Sequence, residues 1–318
     1  MSLLVSLIAL GCGDDAAPSD AGTDAYDAGP VGVCATLVPG LYAADCVTPA
    51  AGVRAYAPAY ELWADASDKE RFISLPPGTS IDASDPDGWV FPVGTRIYKT
   101  FALDGVRLET RLMEKFAPGP GHESWNFRVY LWSADQLSAM ETSGEPVPNV
   151  LGTEHDVPSQ MQCVMCHANV ADAVNGLTTV QMPPAQVAAW AAEGVLAPAP
   201  TWTGIPGDAT AQAALGYLQA NCAHCHRAGA AEDSGLHMSL SVNDLRVEDT
   251  AVFRTAVGVM GTWIDAGATV RIVAGDPNAS TLVRRMESRD PVAQMPPIST
   301  ERVDPTGVAA LRAWIGAL

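Results

Sequence analysis

A chain of 318 residues, 48% of them apolar and 17% charged, is long enough for two or three globular domains. Its formal net charge of −18 disfavours nucleic acid as a partner, because phosphate binding needs a basic face. No apolar run reaches the roughly 18 residues that a membrane-spanning helix requires. These values fit a soluble acidic protein that could attract a basic partner.

The N-terminal pattern is typical of a lipoprotein export signal. A short apolar stretch at residues 3–10 is followed by Gly11 and Cys12, and lipoprotein processing requires a small residue before the cysteine. No Lys or Arg precedes the stretch, although secretory signals usually begin with positive charge. We expect cleavage before Cys12, lipidation of Cys12 and a location in the periplasm or on the outer membrane. A buried N-terminal strand is the alternative.

Residues 13–33 are predicted to be a disordered acidic linker. The part from 13 to 30 contains five Asp, no basic residue and almost nothing that could be buried. Such a segment cannot offset the entropy lost on ordering. It would tether a lipid anchor to a folded body.

Two cysteines, Cys34 and Cys46, follow the linker and are close in sequence. In an oxidising compartment they are expected to form a disulfide. Closing a loop of this size stabilises the fold by about 3 kcal/mol in the chain-entropy model. Two free buried thiols are the alternative.

Residues 34–150 are predicted to form an antiparallel β-rich domain. Runs at 89–103, 106–116 and 125–132 alternate apolar with charged residues, and turns rich in Gly, Pro and Asp separate them. The alternation indicates a half-buried sheet with one solvated face. A ligand or partner surface on this sheet is the less favoured interpretation.

The motif Cys-x-x-Cys-His occurs twice and is the pattern of c-type haem attachment. Two thiols one helical turn apart can add across the two vinyl groups of haem, and the next histidine can then point its imidazole at the iron. A Cys₂His₂ zinc site has differently spaced histidines, and a redox dithiol needs a βαβ context that is not found here. Two covalently bound haem c groups are therefore predicted. The copies are Cys163, Cys166 and His167, and Cys222, Cys225 and His226.

The second copy is predicted to lie in a cytochrome c-like helical domain. Residues 210–221 have helical apolar spacing and lead into the motif, and residues 307–318 form a predicted final helix. Between them, a Gln-Met-Pro-Pro loop can hold the Met295 thioether over the distal face of the iron. His226 and Met295 are thus the predicted ligands of haem 2. Such ligation raises the reduction potential and closes the iron to other ligands.

The first copy has no unambiguous distal ligand. A second Gln-Met-Pro-Pro sequence follows it, and only fifteen residues separate His167 from Met182. Met182 is one candidate for the distal ligand of haem 1. His155 and His122 are alternatives, and a five-coordinate iron is the remaining possibility.

Together these patterns predict a multidomain α+β fold. An antiparallel β-rich N-terminal domain would be followed by mainly α-helical cytochrome c-like haem domains. The predicted segments are 1–12 (signal), 13–33 (linker), 34–150 (β-rich), 151–206 (first haem) and 207–318 (second haem).

Several stretches between about Tyr60 and the C-terminus carry a family resemblance. They include ELWADASDKERFISLPPGT, FPVGTRIYKTF, LETRLMEK, VPSQMQCVMCH, YLQANCAHCH and VAGDPNASTLVRRM. With these stretches the chain resembles a group of bacterial dihaem c-type cytochromes that have a β-rich region before two haem sites. The resemblance implies two covalent haems, an exported protein and no particular substrate. Met182 departs from the pattern of that family.

Electron transfer is the predicted function, with redox partner proteins that the sequence does not identify. The alternative is a haem enzyme, a peroxidase or a small-molecule dehydrogenase, in which haem 1 is an open catalytic site. Such an enzyme needs acid and base groups near the iron, and Glu154, His155 and Asp156 are close to the first motif in sequence. The two motifs lie closer together than in typical bacterial dihaem peroxidases. No catalytic residue is assigned.

Overall fold

Ten β-strands and six α-helices form the regular structure of the residues that the computed structural model describes, 37–230, 234–265 and 267–318. The strands are β1 Val53–Ala55, β2 Asp68–Ser74, β3 Ile81–Asp82, β4 Arg96–Leu103, β5 Val106–Lys115, β6 Trp125–Trp132, β7 Ala139–Glu141, β8 Leu196–Ala197, β9 Met260–Asp265 and β10 Ala268–Val270. The helices are α1 Gln160–His167, α2 Pro184–Ala192, α3 Ala209–Asn221, α4 Ala251–Ala256, α5 Thr281–Glu287 and α6 Pro305–Ala317. The predicted signal with Cys12, the linker and Cys34 lie outside these ranges.

Six strands form one antiparallel sheet in the order β1-β2-β4-β5-β6-β7. The three central strands, β4, β5 and β6, come from the alternating runs, so the predicted antiparallel β region is confirmed. A tight turn at Asp104 and Gly105, with φ angles of 50° and 78°, joins β4 to β5. Two positive φ angles in succession suit a two-residue hairpin, because their twist matches that of the flanking strands.

Both faces of the sheet are covered, whereas the alternation predicted one solvated face. The second face packs against the segment 173–196, which the sequence assigned to the first haem region, so that region and the sheet share one core. The cluster on the first face includes Leu41, Tyr98, Leu112, Tyr130 and Trp132. The cluster on the second face includes Ile73, Ile97, Met113, Trp125, Met182 and Trp190.

The predicted succession of a β domain and mainly α-helical cytochrome c-like domains is wrong. The fold is organised around the six-stranded sheet, and only about 24% of it is helical. The described residues all belong to a single compact unit. The helices after the sheet have 6 to 13 residues and are separated by irregular, Gly- and Pro-rich chain and by the β9–β10 hairpin. None of the described helices is long and apolar enough to cross a membrane.

The helices α3 and α6 each carry a glycine that packs against a tyrosine ring. A Cβ atom added to Gly307 of α6 would lie 2.1 Å from the ring of Tyr217 on α3, and one added to Gly216 would lie 2.3 Å from the ring of Tyr60. Both separations are far below van der Waals contact. Each glycine therefore leaves the space that a tyrosine ring fills, and Tyr217 fixes how closely the two helices approach.

This packing predicts opposite effects of two glycine substitutions on α6. Gly307→Ala should destabilise the fold by about 1–3 kcal/mol, because a well-packed contact does not accommodate an extra methyl group. Gly316→Ala should be neutral or stabilising by up to about 1 kcal/mol, because its Cβ meets nothing within 4 Å and Ala is the better helix former. Chemical denaturation of both variants checks the prediction, and equal effects would contradict it.

Candidate functional site

The first motif lies on α1, which begins with a capping box. The Gln162 amide donates to the Ser159 hydroxyl at 3.3 Å, and the Ser159 amide donates to the Gln162 side chain at 2.8 Å. Residues three and four apart are neighbours on a helix, so Cys163, Cys166 and His167 share one face. This face is directed toward the sheet, since the His167 ring packs on Phe127 of β6 with a centroid separation of 5.2 Å.

The imidazole of His167 is held in one tautomer. Its Nδ1 atom lies 2.5 Å from the carbonyl oxygen of Ala173, which can only accept, so Nδ1 carries the proton. The Nε2 lone pair is then free to bind a metal, and a backbone carbonyl on the other nitrogen is the usual way of orienting such a ligand. Burial, only partly opposed by the Ala173 hydrogen bond, lowers the pKa of His167 to about 4. The ring is therefore in its neutral, ligating form at pH 7.

The carbonyl that orients His167 belongs to a left-handed turn anchored by Asp172. Asp172 and Ala173 have φ angles of 43° and 58°. The Asp172 carboxylate accepts hydrogen bonds from Lys115 Nζ at 2.5 Å, Trp125 Nε1 at 3.0 Å and the Phe91 amide at 2.7 Å. A fully buried carboxylate thus fixes the position of Ala173. Sequence reasoning missed this residue, because nothing local marks Asp172 as buried.

A cavity of about 410 Å³ lies between α1 and the sheet. This volume is within the range of small-molecule and cofactor sites. All three residues of the first motif line it. The sheet contributes Arg71, Ile97, Lys99, Arg111, Met113, Phe127 and Val129. The residues that could attach haem 1 therefore face a space that could receive it, although the sequence predicted none of the sheet residues around it.

A buried ionic cluster lies beside this cavity. Arg111 donates two hydrogen bonds to the Glu109 carboxylate, at 3.0 and 2.6 Å, and His155 Nε2 lies 2.8 Å from the same carboxylate. Both Glu109 and His155 are buried, and the His155 ring also packs on Phe101 with a centroid separation of 5.3 Å. His155, an alternative haem ligand in the sequence, is thus engaged with Glu109 and does not line the cavity.

The Glu109 cluster predicts acid sensitivity. Burial alone would raise the pKa of Glu109, but Arg111 and His155 lower it from 4.5 to about 2. The stabilisation is complete above the unfolded-state pKa and is lost as the pH falls from about 4.5 toward 2. Glu109→Gln should cost about 3–5 kcal/mol at neutral pH, since Arg111 loses its partner, and should remove this part of the pH dependence. Measurement of the unfolding free energies of the wild type and Glu109→Gln between pH 2 and 7 checks this prediction. Parallel dependence of the two free energies on pH would contradict it.

The second motif follows α3 directly. Cys222 is the C-terminal cap residue of α3, and the His226 amide donates to its carbonyl at 2.8 Å. His226 Nδ1 is buried near the Leu236 backbone but has no hydrogen bond of acceptable geometry within the described residues. Burial, followed by the charges of His224, Arg285 and Arg271, lowers the pKa of His226. The lowered pKa keeps the His226 imidazole neutral at pH 7, which is the form that binds a metal.

The backbone of Met295 is hydrogen-bonded to that of Arg285. Its amide donates to the Arg285 carbonyl at 2.9 Å, and the charge of Arg285 contributes to the lowered pKa of His226. Met182, by contrast, is 1% exposed, packs in the core of the second sheet face and does not line the cavity. His122 is partly exposed beside Glu123, with Nδ1 3.6 Å from its carboxylate, and it does not line the cavity either.

The two motifs adjoin each other. The Cys166 thiol interacts with the Cys225 thiol and with His224. The Cys225 interaction, followed by burial, raises the pKa of Cys166 to about 12. A second bridge joins the neighbouring loops, since Arg227 Nη1 donates to the Asn169 carbonyl at 2.9 Å. His224 therefore also lies at the junction.

The cysteines fall into two chemical classes. Cys163, Cys166, Cys222 and Cys225 are free thiols. Cys46 is disulfide-bonded, while its predicted partner Cys34 lies outside the described residues. The four motif thiols are thus the ones available for thioether bonds.

No family model, curated protein or solved structure matches the chain. The described residues contain no group of three or more His, Cys, Asp or Glu side chains arranged to hold a metal ion. A haem iron takes four of its ligands from the porphyrin and therefore needs only one or two from the protein. The haem assignment accordingly depends on the motifs and on the surroundings of their side chains.

Proposed function

We propose that this protein is a dihaem c-type cytochrome that transfers electrons outside the cytoplasm. The observation that carries the proposal is the proximity of the two Cys-x-x-Cys-His motifs: Arg227, beside the second, donates to the Asn169 carbonyl beside the first at 2.9 Å, and the Cys166 and Cys225 thiols interact electrostatically. Groups attached to these two sulfur atoms are neighbours, and closely spaced redox centres exchange electrons. When bound, haem supplies a one-electron iron couple.

The residues that would hold the two groups are those of the motifs. Cys163 and Cys166 would form the thioether bonds of haem 1, and His167 would be its proximal ligand. Its free Nε2 atom and the cavity beside it support this assignment. Cys222, Cys225 and His226 would hold haem 2, with Met295 as its distal ligand.

A lipid anchor at Cys12 would place the protein in the periplasm or on the outer membrane. The net charge of −18 favours a basic redox partner protein. The disulfide at Cys46 supports an oxidising compartment.

Haem stoichiometry tests the proposal directly. The wild-type protein should contain two haems per chain by pyridine haemochrome, and its intact mass should include both. The double variant Cys222→Ala, Cys225→Ala should retain only haem 1, and the matched variant Cys163→Ala, Cys166→Ala only haem 2, because each motif provides its own thiols. A wild-type protein with one haem or none would overturn the proposal.

An enzyme that uses haem 1 is the second candidate. The cavity beside His167, with its cationic sheet residues, is the observation that favours it. An enzyme would need an open iron, so carbon monoxide or cyanide should bind one of the two haems. An electron carrier with both irons six-coordinate should bind neither ligand.

A further inference from the structure

Three cations form a row across the sheet. Lys99 on β4 is the cross-strand partner of Arg71 on β2 and of Arg111 on β5. Directly opposed residues point to the same face, so the three side chains extend side by side. All three line the 410 Å³ cavity together with the first motif.

The central cation of this row lacks an anion. Arg71 pairs with Glu61 at 3.1 Å, and Arg111 pairs with Glu109. Lys99 forms no ion pair or hydrogen bond within the described part of the chain, and its Nζ atom lies 4.7 Å from the centroid of the Phe101 ring. Its partial exposure is to the cavity.

This arrangement is unfavourable on its own. Like charges directly opposite each other in a sheet repel, and a cation removed from water needs a compensating partner. The cavity is the space from which such a partner could reach all three side chains. Carboxylates suit the site, since Lys and Arg recognise them through charge-assisted hydrogen bonds.

We propose that Lys99, flanked by Arg71 and Arg111, binds carboxylate in this cavity and that the occupant is the propionate edge of haem 1. The proposal rests on the proposed function, because the group attached at Cys163 and Cys166 would extend into the cavity that those residues line. Haem carries two propionates: the unpaired Lys99 could neutralise one charge, while Arg71 and Arg111 each keep guanidinium N–H groups that their Glu partners do not use. A free small carboxylate has the same chemistry and is the competing source.

The test uses the haem-loaded protein. Lys99→Gln should lower the reduction potential of haem 1 and leave that of haem 2 unchanged, because a propionate without its cation stabilises the oxidised iron. Lys99→Met should do the same, and Lys99→Arg should restore most of the wild-type potential. The control is Arg246→Gln, which removes an exposed cation paired only with Asp249 and should change neither potential.

The other outcomes are distinguishable. An unchanged haem 1 potential in both neutral variants would overturn the proposal. A saturable effect of succinate on the wild-type haem 1 potential, lost in Lys99→Gln, would assign the row to a free carboxylate and overturn the propionate. Conversion of haem 1 to high spin in Lys99→Gln and Lys99→Met would indicate that Lys99 is an iron ligand in the wild type, and this would also overturn the propionate proposal. Haem content, measured first, separates all of these from a failure of the proposed function.

Discussion

The Asp172→Ala variant should lose about 3–5 kcal/mol of unfolding free energy. Asp172 and Lys115 have side-chain exposures of 0% and 1%, so removal of the carboxylate leaves a buried cation without its partner. The Trp125 indole and the Phe91 amide lose an acceptor at the same time. Chemical denaturation of the haem-loaded wild type and variant measures the loss.

An exposed ion pair provides the control. Arg54 and Glu193 form a salt bridge in which the side chains are 44% and 49% exposed. Glu193→Ala should therefore cost less than about 1 kcal/mol. The loss of unfolding free energy in Asp172→Asn should lie between those of Asp172→Ala and Glu193→Ala, because an amide oxygen can still accept a hydrogen bond while the charge is lost. Similar losses of unfolding free energy in the Asp172 and Glu193 variants would show that burial of the Asp172–Lys115 pair does not cause the destabilisation.

The same variant should also perturb haem 1 selectively. Loss of the Asp172 anchor frees the Ala173 carbonyl, which holds Nδ1 of His167. The visible spectrum and potential of haem 1 should change while those of haem 2 stay constant. Equal changes at both haems would instead indicate a general loss of structure.

The two Cys-x-x-Cys-His motifs could be found in the sequence, but much of what surrounds them could not. Cys163, Cys166 and His167 are recognisable because thioether chemistry fixes a short local spacing. Asp172 contacts Lys115 and Trp125, which lie 57 and 47 residues away. No local pattern encodes such separations, so the anchor of His167 was invisible until the chain was folded.

The row of cations formed by Arg71, Lys99 and Arg111 could not be predicted from the sequence either, because it depends on the register of the strands. The alternation in β4 and β5 predicted correctly that these segments are strands. It could not show that Lys99 lies directly between Arg71 and Arg111, since a shift of one residue in pairing would place the three on different faces. The register, and with it the row, comes only from the assembled sheet.

The fold class was wrong for a related reason. Helical spacing in residues 210–221 and 307–318 was correctly interpreted, and α3 and α6 lie there. Extending that character to the whole region after residue 150 was the error. Residues 173–196 pack against the sheet and complete its second core, so the sheet and not a helical domain organises the surroundings of the first Cys-x-x-Cys-His motif.

Repeated Gln-Met-Pro-Pro sequences made the two methionines look equivalent, yet their environments differ. Met182 packs among the core side chains of the sheet. Met295 is partly exposed, and its amide donates to the carbonyl of Arg285, whose charge lowers the pKa of His226. A short motif specifies the local rigidity of the chain but not the space into which the thioether points.

Redox titration should resolve two one-electron steps, with haem 2 at the higher potential. Axial ligands set haem potentials over a range of about 0.8 V, so a firm His226 and Met295 pair should outweigh the cations near haem 1. Met295→Ala should lower the upper step and abolish the thioether-to-iron absorption band.

Met182→Leu conserves core volume and should leave both steps unchanged, whereas Met182→Ala should cost about 2–5 kcal/mol of stability. A change at haem 1 in Met182→Leu would identify Met182 as its distal ligand. Two identical potentials that shift equally in the Met295 and Met182 variants would show that the sites are equivalent.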